Sequence, residues 1–179
     1  MKRSVLLIVL CVLGLSGCEW LKGRSTKDNL DPPAELIDFD ATAPVRKAWS
    51  VGLGGGIERS GTRPRPVETD GVVYASDLEG SVVATDLISG KQRWRIDADK
   101  RLSSGPGVGE GLVVVGGLDG DVIALDRDTG SAKWATNVSS EVLASPAIAD
   151  GIVVIRSNDG RVFGLNATDG ARGWLFDRG

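Results

Sequence analysis

Few side chains in these 179 residues could do covalent chemistry, and the first exclusion is histidine, of which there is none. Without imidazole, the Ser/His/Asp and Cys/His nucleophile arrangements, the HExxH zinc site and every histidine metal ligand drop out. The two cysteines, Cys11 and Cys18, stand within and at the end of one apolar stretch near the amino terminus, so no disulfide framework follows. Among oxygen ligands, Asp126-x-Asp128-x-Gly130 suggests a calcium loop. Its glycine falls at the fifth rather than the sixth position, however, and Asn137 replaces the twelfth-position glutamate. The glycine run from Gly52 fails the dinucleotide fingerprint, because Ile57 stands where the third glycine belongs and no Lys-Ser/Thr follows. It reads as an enlarged loop, since Trp49 and Trp94 are 45 residues apart.

Cys18 remains, and its neighbours give it a chemistry. Lys2 and Arg3 form a positive start, residues 4–15 an apolar core, and Leu15-Ser16-Gly17-Cys18 resembles the bacterial lipobox. In that motif the cysteine sulfur receives a diacylglycerol, and cleavage leaves the cysteine as the first residue. The apolar stretch is shorter than the roughly 20 residues of a membrane-spanning helix. One acyl chain anchors marginally and two or more anchor stably, so a lipidated Cys18 would hold the chain on a membrane. Glu19 follows, rather than the aspartate associated with inner-membrane retention, which points to an outer-membrane anchor facing the periplasm. Residues 1–17 are then a signal peptide. Their loss removes Lys2 and Arg3 and leaves 19 basic against 24 acidic side chains, so nucleic acid is not an expected partner. Residues 18–44, with Pro32, Pro33 and Pro44 and no sustained period, read as a lipid-anchored flexible tether.

The elements that must position everything else come from self-similarity. Three segments align without gaps at an offset of 40 residues. Residues 71–80 (GVVYASDLEG) match 111–120 (GLVVVGGLDG) and 151–160 (GIVVIRSNDG). Behind them recur Ala84, Asp86, Gly90 and Trp94; Ala124, Asp126, Gly130 and Trp134; and Gly164, Asn166, Gly170 and Trp174. Proline recurs at 66, 106 and 146. With 25 glycines and only nine aromatic residues, the composition favours tight turns over long helices.

Each repeat reads as four short strands, in the middle copy near 104–108, 112–116, 121–126 and 132–137. The second strand, apolar on both faces at residues 112–115 and 152–155, is expected to lie buried between neighbouring blades. The outermost strand is expected to alternate, with Lys91, Arg93 and Arg95 on one face and Gln92, Trp94 and Ile96 on the other, its charges blunting a sheet edge. Gly80, Gly120 and Gly160 suit hairpins that need positive φ. Asp86, Asp126 and Asn166, each four residues before a glycine, are expected to accept backbone N–H bonds inside the turn rather than to bind a metal. The fold class is therefore all-β, a propeller of four-stranded antiparallel blades. Residues 45–179 comprise a strand near 46–51 and repeats at about 63–102, 103–142 and 143–179.

The spacing of small residue, Asp or Asn, Gly and Trp resembles the A-x-D-x-x-T-G-x-x-x-W repeat of quinoprotein-like, PQQ-type propellers. WD40 repeats share the length, but the tryptophans here are followed by Arg95, Ala135 and Leu175 rather than aspartate. In PQQ-type propellers the tryptophan packs between blades and the small residue, here Ala84, Ala124 or Gly164, leaves room for it. Lipobox, tether and repeats together resemble the BamB family, the lipoprotein subunit of the outer-membrane β-barrel assembly machinery. That resemblance implies a noncatalytic eight-bladed scaffold with no cofactor, docked on the periplasmic domains of the barrel-forming subunit BamA and assisting the insertion of outer-membrane β-barrel clients. About three blades of the eight are present, as in an amino-terminal fragment. The family's docking loop would begin past Gly179, leaving the partner-binding residues unassigned. The alternatives are a PQQ-dependent dehydrogenase-like enzyme and another lipid-anchored periplasmic binding propeller.

Overall fold

The computed structural model describes residues 34–38, 42–55 and 61–177. The chain divides into two units, Met1–Pro44 and Val45–Gly179. The described residues of the first unit carry neither helix nor strand and are exposed. Cys18, the expected signal peptide and most of the expected tether lie outside the described residues.

Among the described residues the second unit contains three four-stranded antiparallel sheets, each a simple meander. Blade 1 is β1 (Val67–Thr69), β2 (Val72–Ser76), β3 (Ser81–Asp86) and β4 (Gln92–Asp97). Blade 2 is β5 (Gly107–Gly109), β6 (Leu112–Gly116), β7 (Asp121–Asp126) and β8 (Ala132–Asn137), and blade 3 is β9 (Ala147–Ala149), β10 (Ile152–Arg156), β11 (Val162–Asn166) and β12 (Arg172–Phe176). The first hairpin of each blade turns on a pair of residues that both have positive φ. Asp70-Gly71 stands at 53° and 74°, Glu110-Gly111 at 49° and 76°, and Asp150-Gly151 at 52° and 75°. This is the two-residue turn whose twist matches that of paired strands.

The core lies between blades. β6 is buried at every position. Its Val113 and Val115 pack with Tyr74, Val82 and Trp94 of blade 1, while Leu112 and Val114 pack with Val153, Ile155 and Phe163 of blade 3. A strand that is apolar on both faces thus has a neighbour on each. β10 follows the same pattern on one side only, with Val153 and Ile155 buried but Ile152 exposed.

Three sequence expectations need correction. The innermost strand of blade 2 starts at Gly107, not 104. Residues 102–106 are instead a buried connection, in which the Ser103 and Ser104 amides donate to the Gly116 carbonyl and the Ser103 hydroxyl to the Val142 carbonyl. Residues 46–51 form no strand among the described residues, because no chain offers them a ladder of hydrogen bonds. The outermost strand does not alternate strictly. Ala84 pairs with Trp94 and Thr85 with Gln92, so Arg93 is an extra residue, and the same irregularity recurs at Lys133 in blade 2 and Gly173 in blade 3. A bulge of this kind shifts the face of every residue before it. Gln92 therefore joins Arg95, whose Nε donates to Gln92 Oε1 at 3.2 Å, rather than Trp94.

Candidate functional site

The residues that repeat are brought together at the seams between blades. Trp94 Nε1 of blade 1 donates to the Arg127 carbonyl in blade 2 at 2.9 Å. Trp134 Nε1 of blade 2 donates to the Ala167 carbonyl in blade 3 at 2.8 Å. Both accepting carbonyls directly follow the Asp126 or Asn166 position of the next blade. The glycine of that turn supplies the surface on which the ring lies. A Cβ on Gly130 would stand 2.8 Å from the Trp94 ring, and one on Gly170 2.5 Å from the Trp134 ring, and both glycines have a φ of 73°. Only glycine meets both demands. Within its own sheet each indole sits opposite a small residue, Trp94 across from Ala84 and Trp134 across from Ala124.

Trp49 makes the same seam without belonging to a strand. Its Nε1 donates to the Leu87 carbonyl at 2.8 Å, and a Cβ on Gly90 would stand 2.6 Å from its Cγ. The segment past Trp49 is then held by two blade 1 side chains. Arg95 donates from Nη1 to the Leu53 carbonyl at 2.7 Å and from Nη2 to the Gly52 carbonyl at 2.5 Å. Asp77, buried, accepts the Gly55 amide at 3.2 Å. Sequence reading did not single out Asp77 or use Arg95 in this way. The available signal was that both depart from the repeat, where Gly117 and Ser157 match Asp77 and where Ala135 and Leu175 match Arg95.

The acidic turn positions are occupied by backbone. Asp86 Oδ1 accepts the Ser89 amide and hydroxyl at 2.9 and 2.8 Å, and Arg93 pairs with Oδ2 at 3.2 Å. Asp126 Oδ1 accepts the amides of Asp128 and Thr129 and the Thr129 hydroxyl, while Lys133 pairs with Oδ2 at 3.0 Å. Asn166 Oδ1 accepts the Thr168 amide at 2.8 Å. The bonds from Ser89 hold the Asp86 carboxyl down at about 2, and those from Lys133 and Thr129 hold Asp126 at about 2. Among the described residues no cluster of three or more acids, cysteines or histidines is placed to hold a metal. The acids with the most hydrogen bonds already spend their oxygens on turn amides and neighbouring cations, which does not fit a calcium and quinone site built from them.

Charged groups also tie neighbouring blades together. Arg127 of blade 2 pairs with Asp70 of blade 1 at 2.8 Å, and the Glu110 carboxylate of blade 2 accepts the Gly151 amide of blade 3 at 3.1 Å. Trp174 occupies the seam position in blade 3 but is 43% exposed, against 9% for Trp134. It folds onto its own sheet, over Gly164, where a Cβ would come within 2.0 Å of the ring. Phe176 is exposed on the same face, and Leu175 is exposed on the other.

Residues 39–104 and 78–179 match the sequence family described as outer membrane protein assembly factor BamB. A protein of that description from Xanthomonas campestris pv. campestris is 44% identical over 125 residues, covering 62% of this chain and 31% of the relative. Among solved structures, BamB from Moraxella catarrhalis superposes with a TM-score of 0.60 at 28% identity, over 65% of this chain and 36% of that one. The quinohemoprotein alcohol dehydrogenase ADHIIG from Pseudomonas putida HK5 superposes with a TM-score of 0.59 at 27% identity, over 65% of this chain and 20% of that one. The chain thus spans about a third or less of the proteins it matches. With three blades of the repeat in place and the family match running from residue 39 to 179, the chain belongs to the outer membrane protein assembly factor BamB family.

Proposed function

We propose that these blades are part of a noncatalytic scaffold lipoprotein of the outer-membrane protein assembly complex, held on the periplasmic face of the outer membrane through lipid on Cys18. In this role the parent protein docks on the periplasmic domains of BamA and assists folding and insertion of β-barrel clients. The observation that carries the reading is the family match across all three blades. The use of Asp86, Asp126 and Asn166 in turns supports a scaffold rather than a catalyst. Ala84, Ala124, Gly164 and the repeat glycines and tryptophans serve in this reading as structure.

The likeness to a quinohemoprotein alcohol dehydrogenase favours a second reading, a quinone-dependent enzyme built on the same blades. Two experiments on the complete parent protein separate them. Co-purification with BamA supports the scaffold, whereas stoichiometric uptake of pyrroloquinoline quinone and calcium with dye-linked alcohol oxidation supports the enzyme. For the anchor, mass spectrometry of the mature amino terminus should find a diacylglyceryl-modified Cys18. A free thiol there in a freely periplasmic protein would remove it.

A further inference from the structure

A cleft between blades 1 and 2 is left unfilled, and the repeat shows why. It measures about 490 Å³ and opens between the end of β4 and the outer face of blade 2. Ile96 and Ala98 form one wall, Ile123 and Leu125 line it from β7, and Ala132 and Ala135 line it from β8. The β8 bulge at Lys133 brings Ala132 and Ala135 to the same face. Blade 1 carries Gln92 and Arg95 at these two positions, and blade 3 carries Arg172 and Leu175. Blade 2 alone of the three has two methyl groups there.

The equivalent place in blade 1 shows what such a cleft accepts. Arg95 crosses from its own outer strand to the preceding segment and donates to the carbonyls of Gly52 and Leu53, three and four residues past Trp49. Asp97 and Ala98 stand three and four residues past Trp94, and both border the blade 2 cleft. The rim adds charge: Asp97, Asp121 and Lys100 all border the cleft, and Lys100 pairs with Asp121 at 3.3 Å, leaving one negative charge in excess. An aliphatic lining with an excess carboxylate at its rim suits a side chain with an apolar stem and a flat cationic head.

We propose that this cleft is a docking site for an arginine side chain presented by an extended segment of a partner protein, seated as Arg95 is seated in blade 1. The inference rests on the cleft and is independent of the assembly role, so failure to capture BamA would leave it untouched.

The test titrates the complete parent protein into a fluorescein-labelled Leu-Arg-Leu tripeptide and follows anisotropy, with Leu-Lys-Leu and Leu-norleucine-Leu as comparisons. The arginine peptide should bind at least tenfold more tightly than the norleucine peptide and severalfold more tightly than the lysine peptide. Ala135→Arg, which gives blade 2 the residue of blade 1, should abolish binding while leaving the urea midpoint unchanged. If that variant does not fold, Ala135→Leu, the residue of blade 3, tests the same occlusion. Asp97→Asn keeps an acceptor for the Asp99 amide, which now donates to Asp97 Oδ1 at 2.9 Å, and should weaken arginine binding severalfold. Equal affinity for the norleucine peptide, no binding up to millimolar protein, or unchanged binding in the folded Ala135 variant would each overturn the assignment.

Discussion

Truncating Trp134 to alanine removes a ring that is 9% exposed together with the hydrogen bond from its Nε1 to the Ala167 carbonyl. The expected cost is about 3–5 kcal/mol, that of emptying a large buried aromatic site. Lys133, its neighbour, makes an ion pair between partly exposed side chains, so Lys133→Ala should cost under about 0.5 kcal/mol. Urea denaturation of the two variants measures the contrast, and coincident midpoints would contradict the blade register. Lys133 should show itself through pH instead. Asp126 titrates at about 2 chiefly because Lys133 binds its carboxylate, followed by the Thr129 hydroxyl and amide. A carboxyl depressed in the folded state stabilises fully above its ordinary pKa of about 4, and that contribution is lost as pH falls through the folded value. Carbon-13 NMR should therefore find the Asp126 carboxyl ionised at pH 3 in the parent and shifted toward ordinary titration in Lys133→Ala. Asp126→Asn should lose less stability than the parent between pH 4 and pH 2. The turn role of Asp126 was legible in its spacing to Gly130. The second role of that glycine, as the floor under the ring of Trp94, was not, because the partner lies 36 positions upstream and only packing brings them together.

The bulge in each outermost strand shows where a period-two reading of sequence stops working. Hydrophobic alternation locates β4, β8 and β12 within a residue or two, but it counts every residue as one step. An unpaired residue at Arg93, Lys133 or Gly173 leaves no mark in composition, and it reassigns the residues before it to the other face. Residues 46–51 show the complementary limit, since extended chain becomes a strand only beside a partner's amides and carbonyls. What fixes that segment is its contact with blade 1 through Trp49, Arg95 and Asp77. Arg95→Ala should therefore release residues 50–55 without unfolding the blades. Limited proteolysis should cut there several times faster than in the parent, with the thermal midpoint of the remainder little changed. Unchanged cleavage would mean that Trp49 and Asp77 hold the segment without Arg95.

At the scale of the whole molecule, the three sheets and their order follow almost directly from the 40-residue offset, because each copy repeats the same strand and turn chemistry. The outer face of blade 3 carries Trp174 and Phe176, exposed at 43% and 58%. Contiguous apolar surface of this kind drives association. The 179-residue chain should therefore sediment as concentration-dependent oligomers, and Trp174→Ser should shift it toward monomer. A parent that stays monomeric at 100 μM, taken as a high working concentration, would show that this face is not adhesive. Each seam, finally, has a direction: a blade gives an indole N–H to the blade after it and offers a glycine and a carbonyl to the blade before it. Donor and receiver are written into the same 40 residues, so duplicating one repeat creates a new unit that already fits both its parents. Such a chain can lengthen during evolution by unequal crossing-over within its gene, without inventing a single new interface.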